Sequence, residues 1–327
     1  MKNIFVAAAQ HKRAAVIAAI VFIVLMVIPV TLVGVYYWFD SNFTNQVYTQ
    51  QQTLSDIAAL ALKVRLDRLV DIASSMASST QLASDVTNGQ WVGAAGVARD
   101  LQNNVNYYDP FIDRVIIYDA SGTQKDAYPA LTGGLGTSAS NSAWYKALMG
   151  GGATSYVSGV ARRVSLPQIQ VINISVPISS PRGIVGFLVL QIPTDNFLEF
   201  GGNVSLGTYG FVYIVDSSGN IVAHPRLFSE NGGVVNYSFV SEVQKALAGG
   251  SGTDIVTDKT SGEKSLVTYK PVDSYGWGIV IQELYSEAFS TVSAILLGIE
   301  LLIVAVTLID IIIAFILFRF FMTHDHV

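Results

Sequence analysis

The side chains best suited to catalysis are few and isolated in this chain. The sequence contains no cysteine and four histidines, of which only His224 lies between two long apolar segments. His224 precedes Pro225 in the turn-like stretch AHPR, and no nearby residue supplies the partner that a general base requires. No G-x-S-x-G, H-E-x-x-H or Walker-type motif is present. We therefore predict no catalytic residue and no cofactor.

Two other kinds of site are disfavoured by the residue pattern. His324 and His326 alternate around Asp325 at the end of the chain, but two imidazoles without a fixed scaffold make a weak metal site. We interpret this tail as a solvated end and predict no metal. The net charge of −5 comes without a basic stripe, which argues against nucleic acid as a partner.

An adjacent aromatic pair, Trp144 and Tyr145, is the best candidate for a ligand pocket. Aromatic side chains line such pockets because they offer rigid apolar area with a polar tip. The pair precedes Lys146 in a segment that the chain repeats about a hundred residues later, where Val243 and Gln244 occupy the matching positions. A pair present in one copy favours a role specific to that copy; a core contact between a helix and a sheet is the alternative.

Further residues are candidates to line the same cavity: Tyr128, Tyr156, Ser158, Arg162 and Gln191. Arg162 and its neighbour Arg163 would suit an anionic ligand, and would be equally at home on a solvated hairpin. We expect the cavity to belong to the first of the two repeated units.

The repeat indicates the elements that hold these residues. KALMGGGATSYV at 146–157 recurs as KALAGGSGTDIV at 245–256, and Gly150 and Gly249 are predicted to be the left-handed ends of equivalent helices. Three apolar segments also recur, as VIIYDASG and VYIVDSSG, ISVPI and TYKPV, and GFLVLQI and WGIVIQE. Each unit is therefore predicted to run strand, turn, strand, helix and three strands, which is an α+β fold built on antiparallel sheets.

A long helix is predicted to precede the first unit. Residues 41–88 contain neither Gly nor Pro, and apolar residues recur there at spacings of three and four. At 1.5 Å per residue such a helix reaches about 70 Å, the height of two stacked small domains. We interpret it as a spine that pairs with a second copy in a homodimer; a surface helix packed on one core is the alternative.

The apolar excess, 51 % hydrophobic against 13 % charged residues, lies in two segments, 14–39 and 294–318. Each exceeds the ~20 residues that span a bilayer. Lys2, Lys12 and Arg13 precede the first segment, so the positive-inside rule predicts a two-pass protein of the plasma (inner) membrane with both termini in the cytoplasm. The predicted order is a cytoplasmic N-terminus (1–13), a membrane helix (14–39), the spine (40–90), a membrane-distal unit (91–200), a membrane-proximal unit (201–290), a second membrane helix (291–318) and a cytoplasmic tail (319–327).

A long N-terminal helix, two tandem PAS-like units and flanking membrane helices resemble the double Cache (dCache) family of extracellular sensor domains. The best matching stretches are SAWYKAL (142–148), GTYGFVYIVDSSGNIVAHP (207–225) and YKPVDSYGWGIVIQELYSEAF (269–289). The resemblance implies that a small molecule binds in the membrane-distal unit and that the signal reaches a cytoplasmic output of the chemotaxis, histidine kinase or cyclic-dinucleotide type. Since no output domain follows Arg319, we expect the chain to be a fragment of such a receptor; a protein that signals through a partner is the alternative. A membrane-anchored structural ectodomain without a small-molecule ligand is the alternative.

The resemblance also bears on the chemical class of the ligand. Amino-acid-binding members hold the ligand carboxylate with an Arg two positions before the Trp-Tyr pair, and the ammonium with an Asp in the last strand of the distal unit. Ser142 and Gln191 occupy these positions here. From these replacements we expect an uncharged polar molecule, or an anion held by Arg162, and not a free α-amino acid.

Overall fold

The computed structural model describes residues 2–130, 133–150, 152–163, 166–202, 210–227, 233–257 and 262–324; for residues 2–22, 24, 201–202, 318 and 320–324 it describes the backbone alone. Eight α-helices are described: α1 (Lys2–Ala77), α2 (Thr80–Thr87), α3 (Trp91–Tyr108), α4 (Ala143–Gly150), α5 (Glu199–Gly202), α6 (Ser241–Leu247), α7 (Tyr285–Ala288) and α8 (Ser290–His324). A 3₁₀ turn at Thr194–Phe197 precedes α5.

Eleven strands are described, and they form two antiparallel sheets. The strands are β1 (Arg114–Asp119), β2 (Gln124–Tyr128), β3 (Tyr156–Val157), β4 (Ala161–Arg162), β5 (Gln170–Ser180), β6 (Gly183–Pro193), β7 (Phe211–Val215), β8 (Ile221–Ala223), β9 (Gly252–Thr257), β10 (Lys264–Val272) and β11 (Trp277–Leu284). The first sheet has the order β2-β1-β6-β5-β3, with β4 also paired to β5, and the second sheet has the order β8-β7-β11-β10-β9. The predicted α+β fold is confirmed.

The predicted spine helix differs from the structure at its end. The helix expected over 41–88 ends at Ala77, and α2 starts anew after Ser79, whose hydroxyl accepts the N–H of Leu82 at 3.3 Å. Serine side chains compete with helical hydrogen bonds and favour helix starts, which explains the break. The sequence did not predict the helix α3 that follows, because its buried residues, Ala94, Ala98 and Gln102, are small or polar and give a weak apolar signal.

Each sheet has two faces with different neighbours. On the spine face, alternate residues such as Ile172, Ile174 and Val176 of β5 share one hydrophobic core with α1, and that core also includes Trp277 of the second sheet. We call the opposite side of each sheet the outer face. The outer face of the first sheet packs on α4, and that of the second packs on α6, each through a smaller core of its own.

The strand pairing reproduces the repeat found in the sequence. Arg114 pairs with Gln191 in the first sheet, and Phe211 pairs with Gln282 in the second. The predicted ends of α4 and α6 differ: Gly249 has the left-handed backbone (φ 85°), but Gly150 closes α4 within the helix and the positive φ falls on Gly152.

The chain divides into two compact units, residues 51–285 with both sheets and residues 1–50 together with 286–327. In the latter, the Tyr36 hydroxyl donates to Glu300 at 3.0 Å. Among the described residues, one helical stretch, Ser290–Leu317, is long and apolar enough to cross a membrane, with a mean hydropathy of 2.8. The predicted first membrane helix lies within α1, and its side chains before Ile23 are outside the described part of the chain.

Candidate functional site

The outer face of the first sheet carries a line of polar residues across three adjacent strands. Arg114 of β1 pairs with Gln191 of β6, and Gln191 pairs with Asn173 of β5. Directly paired residues of an antiparallel sheet point to the same side. We call Arg114, Gln191 and Asn173 the polar row.

The neighbouring line of residues on the same face has side chains that are mostly less polar than those of the polar row. Ile116, Val189 and Ser175 pair with one another across the three strands, and Tyr156 of β3 pairs with Ser175 at the far end. Ser175 is fully buried. Together the two lines form a polar and an apolar strip side by side, which is the composition of a site that orients a small molecule.

Three oxygen atoms of this surface lack a hydrogen-bond partner within the described part of the chain. They are Asn173 Oδ1, Ser175 Oγ and Gln191 Oε1, and all three are buried. A buried polar group without a partner costs about 1–3 kcal/mol, so native structures rarely contain several close together. Asn173 and Gln191 are directly paired and Ser175 lies two residues further along β5, so the three oxygens are neighbours on this face.

A buried cation completes the polar row. Arg114 is 7 % exposed, and burial, followed by the charge of Arg163, lowers the pKa of its guanidinium. Arg163 is itself buried and forms an ion pair with Asp113, and its Nε donates to the Pro167 carbonyl at 3.1 Å. Two guanidinium groups and one carboxylate, that of Asp113, therefore meet at this end of the row.

The aromatic pair lies on α4 as predicted, and Ser142 lies at the start of that helix. Ser142 caps α4: its hydroxyl donates to the Ala139 carbonyl at 2.6 Å and accepts the N–H of Tyr145 at 3.3 Å. The Tyr145 hydroxyl donates to the Ala120 carbonyl at 2.9 Å, in the turn after β1. The Tyr145 side chain therefore ties α4 to the turn after β1, whereas Ser142 caps the helix.

Trp144 belongs to the core under α4. It is 9 % exposed and packs edge-on against Tyr118 and Phe187, with ring centroids 5.2 and 5.3 Å away. Burial raises the pKa of Tyr118 to about 12. This is the core contact that the sequence left open as the alternative, and it forms one wall beside the apolar strip.

The other predicted residues divide into two groups. Tyr156, Ser158 and Gln191 lie together, since the N–H of Ser158 donates to the Asn173 carbonyl at 2.8 Å and the Ser158 hydroxyl accepts the N–H of Asn173 at 2.8 Å. Tyr128 pairs with Val115, which belongs to the spine-face core, and so points away from the polar row. Arg162 is exposed and donates to Gln168, so it does not reach the row.

Sequence reasoning missed Arg114, Asn173 and Ser175. Asn173 and Ser175 alternate with Ile172 and Ile174 in an otherwise apolar strand, and that alternation was a usable signal. Arg114 gave no comparable signal, because a charged residue at the start of a strand is ordinarily exposed.

The second sheet offers no such row at the equivalent place. Phe211, Gln282 and Val267 pair there. His224 is buried, with ring centroids 5.0 and 5.3 Å from those of Phe211 and Tyr213, and its Nδ1 accepts the N–H of Arg226 at 3.1 Å. Burial, and then Arg226, lowers the pKa of His224 to about 4. These contacts make His224 a packed turn residue.

Among the residues that the structure describes, no three His, Asp or Glu side chains lie close enough together to hold a metal ion. The side chains of His324 and His326, which the sequence raised as a weak metal pair, lie outside the described part of the chain.

Comparison with known families gives a consistent result. The double Cache model of the Cache domain matches residues 39–292. The chain therefore belongs to the double Cache family, whose members are extracellular sensor domains of membrane receptors. No curated protein sequence matches the chain.

Solved structures with this fold include ligand-binding domains of chemoreceptors. The domain of Pseudomonas fluorescens CtaA with L-isoleucine is 15 % identical, with a TM-score of 0.55 over 77 % of this chain and 98 % of that one. The domain of Pseudomonas aeruginosa PctB with L-Gln is 15 % identical, with a TM-score of 0.54 over 74 % of this chain and 93 % of that one. The periplasmic sensory domain of Campylobacter jejuni Tlp1 is 12 % identical, with a TM-score of 0.56 over 75 % and 98 %.

These comparisons correct one expectation. The prediction that the ligand is not a free α-amino acid rested on Ser142 and Gln191, and it is not borne out, since similar domains hold amino acids. In this structure Ser142 caps α4, and a buried guanidinium on this face comes from Arg114 of β1.

Proposed function

We propose that this chain is the sensing part of a membrane receptor and that its ligand binds on the outer face of the first sheet. The observation that carries the proposal is the cluster of three buried oxygens, on Asn173, Ser175 and Gln191, that lack partners within the described residues. A ligand with hydrogen-bond donors would satisfy them, and each such bond contributes about 0.5–1.5 kcal/mol, or more when the donor is charged.

The polar row also favours a chemical class of ligand. Arg114 suits a carboxylate or another anion, while the amide oxygens of Asn173 and Gln191 suit an ammonium, amide or hydroxyl donor. A small molecule with an acidic group and a donor a few atoms apart matches both ends. Free α-amino acids, hydroxy acids and amino-acid amides all meet this description.

The test is a thermal-shift screen of the full chain in detergent against amino acids, organic acids, sugars and amines. We expect a saturable stabilisation by one class that Asn173→Leu abolishes. Gln282→Leu is the matched control, because Gln282 occupies the place equivalent to Gln191 in the second sheet. If no compound binds, or if Gln282→Leu abolishes binding and Asn173→Leu does not, the proposed site is wrong, and the structural ectodomain without a ligand becomes the better interpretation.

The membrane arrangement remains a proposal. Two helices, at 14–39 and 291–318, would anchor an outside region of residues 40–290, with residues 1–13 and 319–327 in the cytoplasm. The exposed apolar side chains of α1 from Ile23 to Trp38 support the first of them. A reporter fused at Ser251 should be active outside the cytoplasm only, and cytoplasmic activity would contradict the topology.

We further propose that the receptor is a homodimer paired along α1. Ile57, Leu60 and Val64 lie three and four residues apart on this helix and are each more than half exposed, at 60, 62 and 56 %. Water-exposed apolar stripes of this spacing are typical of helix pairing. Single cysteines placed along 41–64 should crosslink with a helical period, and a uniform yield would contradict the pairing.

A further inference from the structure

The turn after β7 joins the two sheets through one carboxylate. Asp216 is fully buried, and its Oδ1 accepts the N–H groups of Ser218 and Asn220 at 2.8 and 2.9 Å, which closes the turn. Its other oxygen, Oδ2, accepts the N–H of Val160 at 2.8 Å. Val160 lies in the loop between β3 and β4, at the edge of the first sheet.

The duplicate of this residue in the first sheet does not make such a bond. Asp119 closes the equivalent turn, with its Oδ1 accepting the N–H groups of Ser121 and Thr123 at 2.9 Å each. Its Oδ2 pairs instead with Lys125 at 2.9 Å within the same hairpin. The turn geometry is therefore common to both units, and the contact to another sheet belongs to Asp216.

The loop is shaped to receive the carboxylate. A Cβ added to Gly159 would lie 2.5 Å from Asp216 Oδ2, a distance that side chains do not adopt. The backbone of Gly159 has no positive φ, so the glycine is required for space and not for its conformation. The absence of a side chain at 159 lets Asp216 approach the N–H of Val160.

The same loop is tied to the polar row. Ser158 donates its N–H to the Asn173 carbonyl, and the N–H of Asn173 donates to the Ser158 hydroxyl, both at 2.8 Å. Only one residue, Gly159, thus separates the residue bonded to Asn173 from the residue bonded to Asp216. A displacement of Asn173 along its strand is passed to Val160 through a short stretch of backbone.

We propose that Asp216 is a positioning residue of the ligand site, holding the loop 158–160 against the second sheet and coupling that loop to the β7–β8 turn. The inference rests on the proposed ligand site for its functional meaning, and on the contacts of Asp216 for its mechanism. Binding of a ligand at the polar row is then transmitted to the second sheet through this carboxylate.

The test is amide hydrogen exchange of the full chain in detergent without any ligand. In Asp216→Asn, one oxygen still accepts the N–H groups of the turn, but the NH₂ group cannot accept the N–H of Val160. We expect exchange at Val160 to be about tenfold faster, since loss of a bond to a charged acceptor weakens protection by at least that order. The control is Asp119→Asn, which should leave Val160 unchanged. Unchanged exchange at Val160 in Asp216→Asn would overturn the proposal.

A second variant tests the coupling from the opposite side and remains informative if Asp216→Asn does not fold. Gly159→Ala should displace the carboxylate and speed exchange at Ser218 and Asn220 by about three- to tenfold, the effect of weakening one hydrogen bond. Gly96→Ala is the control, because a Cβ there has no atom within 4 Å. If Ser218 and Asn220 do not respond, the loop and the turn are not coupled. The ligand screen decides the proposed function separately, so either proposal can fail alone.

Discussion

The outer faces of the two sheets have the same strand pairing and different contents. Where the first sheet places Ile116, Val189 and Ser175 in line, the second places Tyr213, Val280 and Tyr269. Tyr213 and Tyr269 are buried beside α6, and the Tyr269 ring lies against Gly252. Two tyrosines therefore occupy the volume that an isoleucine and a serine leave in the first sheet.

The polar groups differ in the same direction. The first sheet places buried Arg114 and partly buried Gln191 and Asn173 in one row. The second places Phe211 and Val267 on either side of Gln282, whose Nε2 donates to the Ser265 hydroxyl at 3.3 Å. One copy of the repeat thus has buried oxygens without partners in its described structure, whereas in the other Phe211, Ser265 and Gln282 line an open pocket. The two copies of a duplicated sheet can therefore differ in function: we propose that the first binds the ligand, whereas the second uses Tyr213 and Tyr269 for packing.

The largest effect expected from this comparison concerns the two buried tryptophans. Trp277 lies in the core shared with α1 and packs against Phe197 with ring centroids 6.2 Å apart, whereas Trp144 lies in the smaller core under α4. Trp277→Ala should lower the free energy of unfolding by about 5 kcal/mol and Trp144→Ala by about 3 kcal/mol, the two ends of the usual range. Denaturant unfolding of both variants checks the order. A larger loss for Trp144→Ala would mean that the shared core is not the main one.

Exchanging equivalent side chains between the outer faces of the two sheets is expected to have the next largest effect. Ser175→Tyr places a ring where the second sheet has Tyr269, and should weaken ligand binding about 100-fold or more while costing about 1–3 kcal/mol of stability through overpacking. Tyr269→Ser should cost about 2–4 kcal/mol, because it opens a cavity, and should leave binding unchanged. Binding isotherms of both variants with the ligand found in the screen test these two expectations. Retained binding in Ser175→Tyr would mean that the ligand does not bind on this face.

The fold could be predicted from the sequence to a greater extent than the site. Repeated apolar segments and paired glycines are local signals, and they gave both sheets and the helices α4 and α6 at the correct offsets. Ser78 and Ser79 interrupt the long helix through side-chain hydrogen bonds that periodicity does not report.

The site depends on strand register, which brings Arg114 next to Gln191 although they are far apart in sequence. Trp144 and Tyr145 were correctly placed on the helix, but their contacts with Phe187 and Ala120 are tertiary.

A pH effect distinguishes the two sheets because the only histidine between residues 40 and 290 is in the second. The pKa of His224 is lowered by burial to about 4, below its ordinary value of 6.5. A histidine that is held neutral in the folded state contributes stability above pH 6.5 and loses it as the pH falls toward 4. We expect about 2 kcal/mol of acid destabilisation between about pH 7 and pH 4.5 from this group. In His224→Asn the side-chain oxygen can replace Nδ1 as the acceptor from Arg226, so unfolding at both pH values should show this component removed. An equal acid loss in the variant would assign it to carboxylates instead.

The smallest expected effect differs in sign between the two copies. Gln191→Leu removes a buried oxygen without a described partner, so the ligand-free protein should be stabilised by about 1 kcal/mol, since an unsatisfied buried group costs about that much. Gln282→Leu removes the hydrogen bond to Ser265 and should destabilise the protein by about 0.5–1 kcal/mol. Paired denaturant unfolding without ligand measures both, and the difference in sign is more informative than either magnitude. Gln191→Leu should at the same time lose affinity for the ligand, because the oxygen it removes is one that we assign to binding. If Gln191→Leu destabilises the ligand-free protein as Gln282→Leu does, then the equivalent glutamines stabilise the fold in both copies. The contrast between the two faces would then not extend to this position.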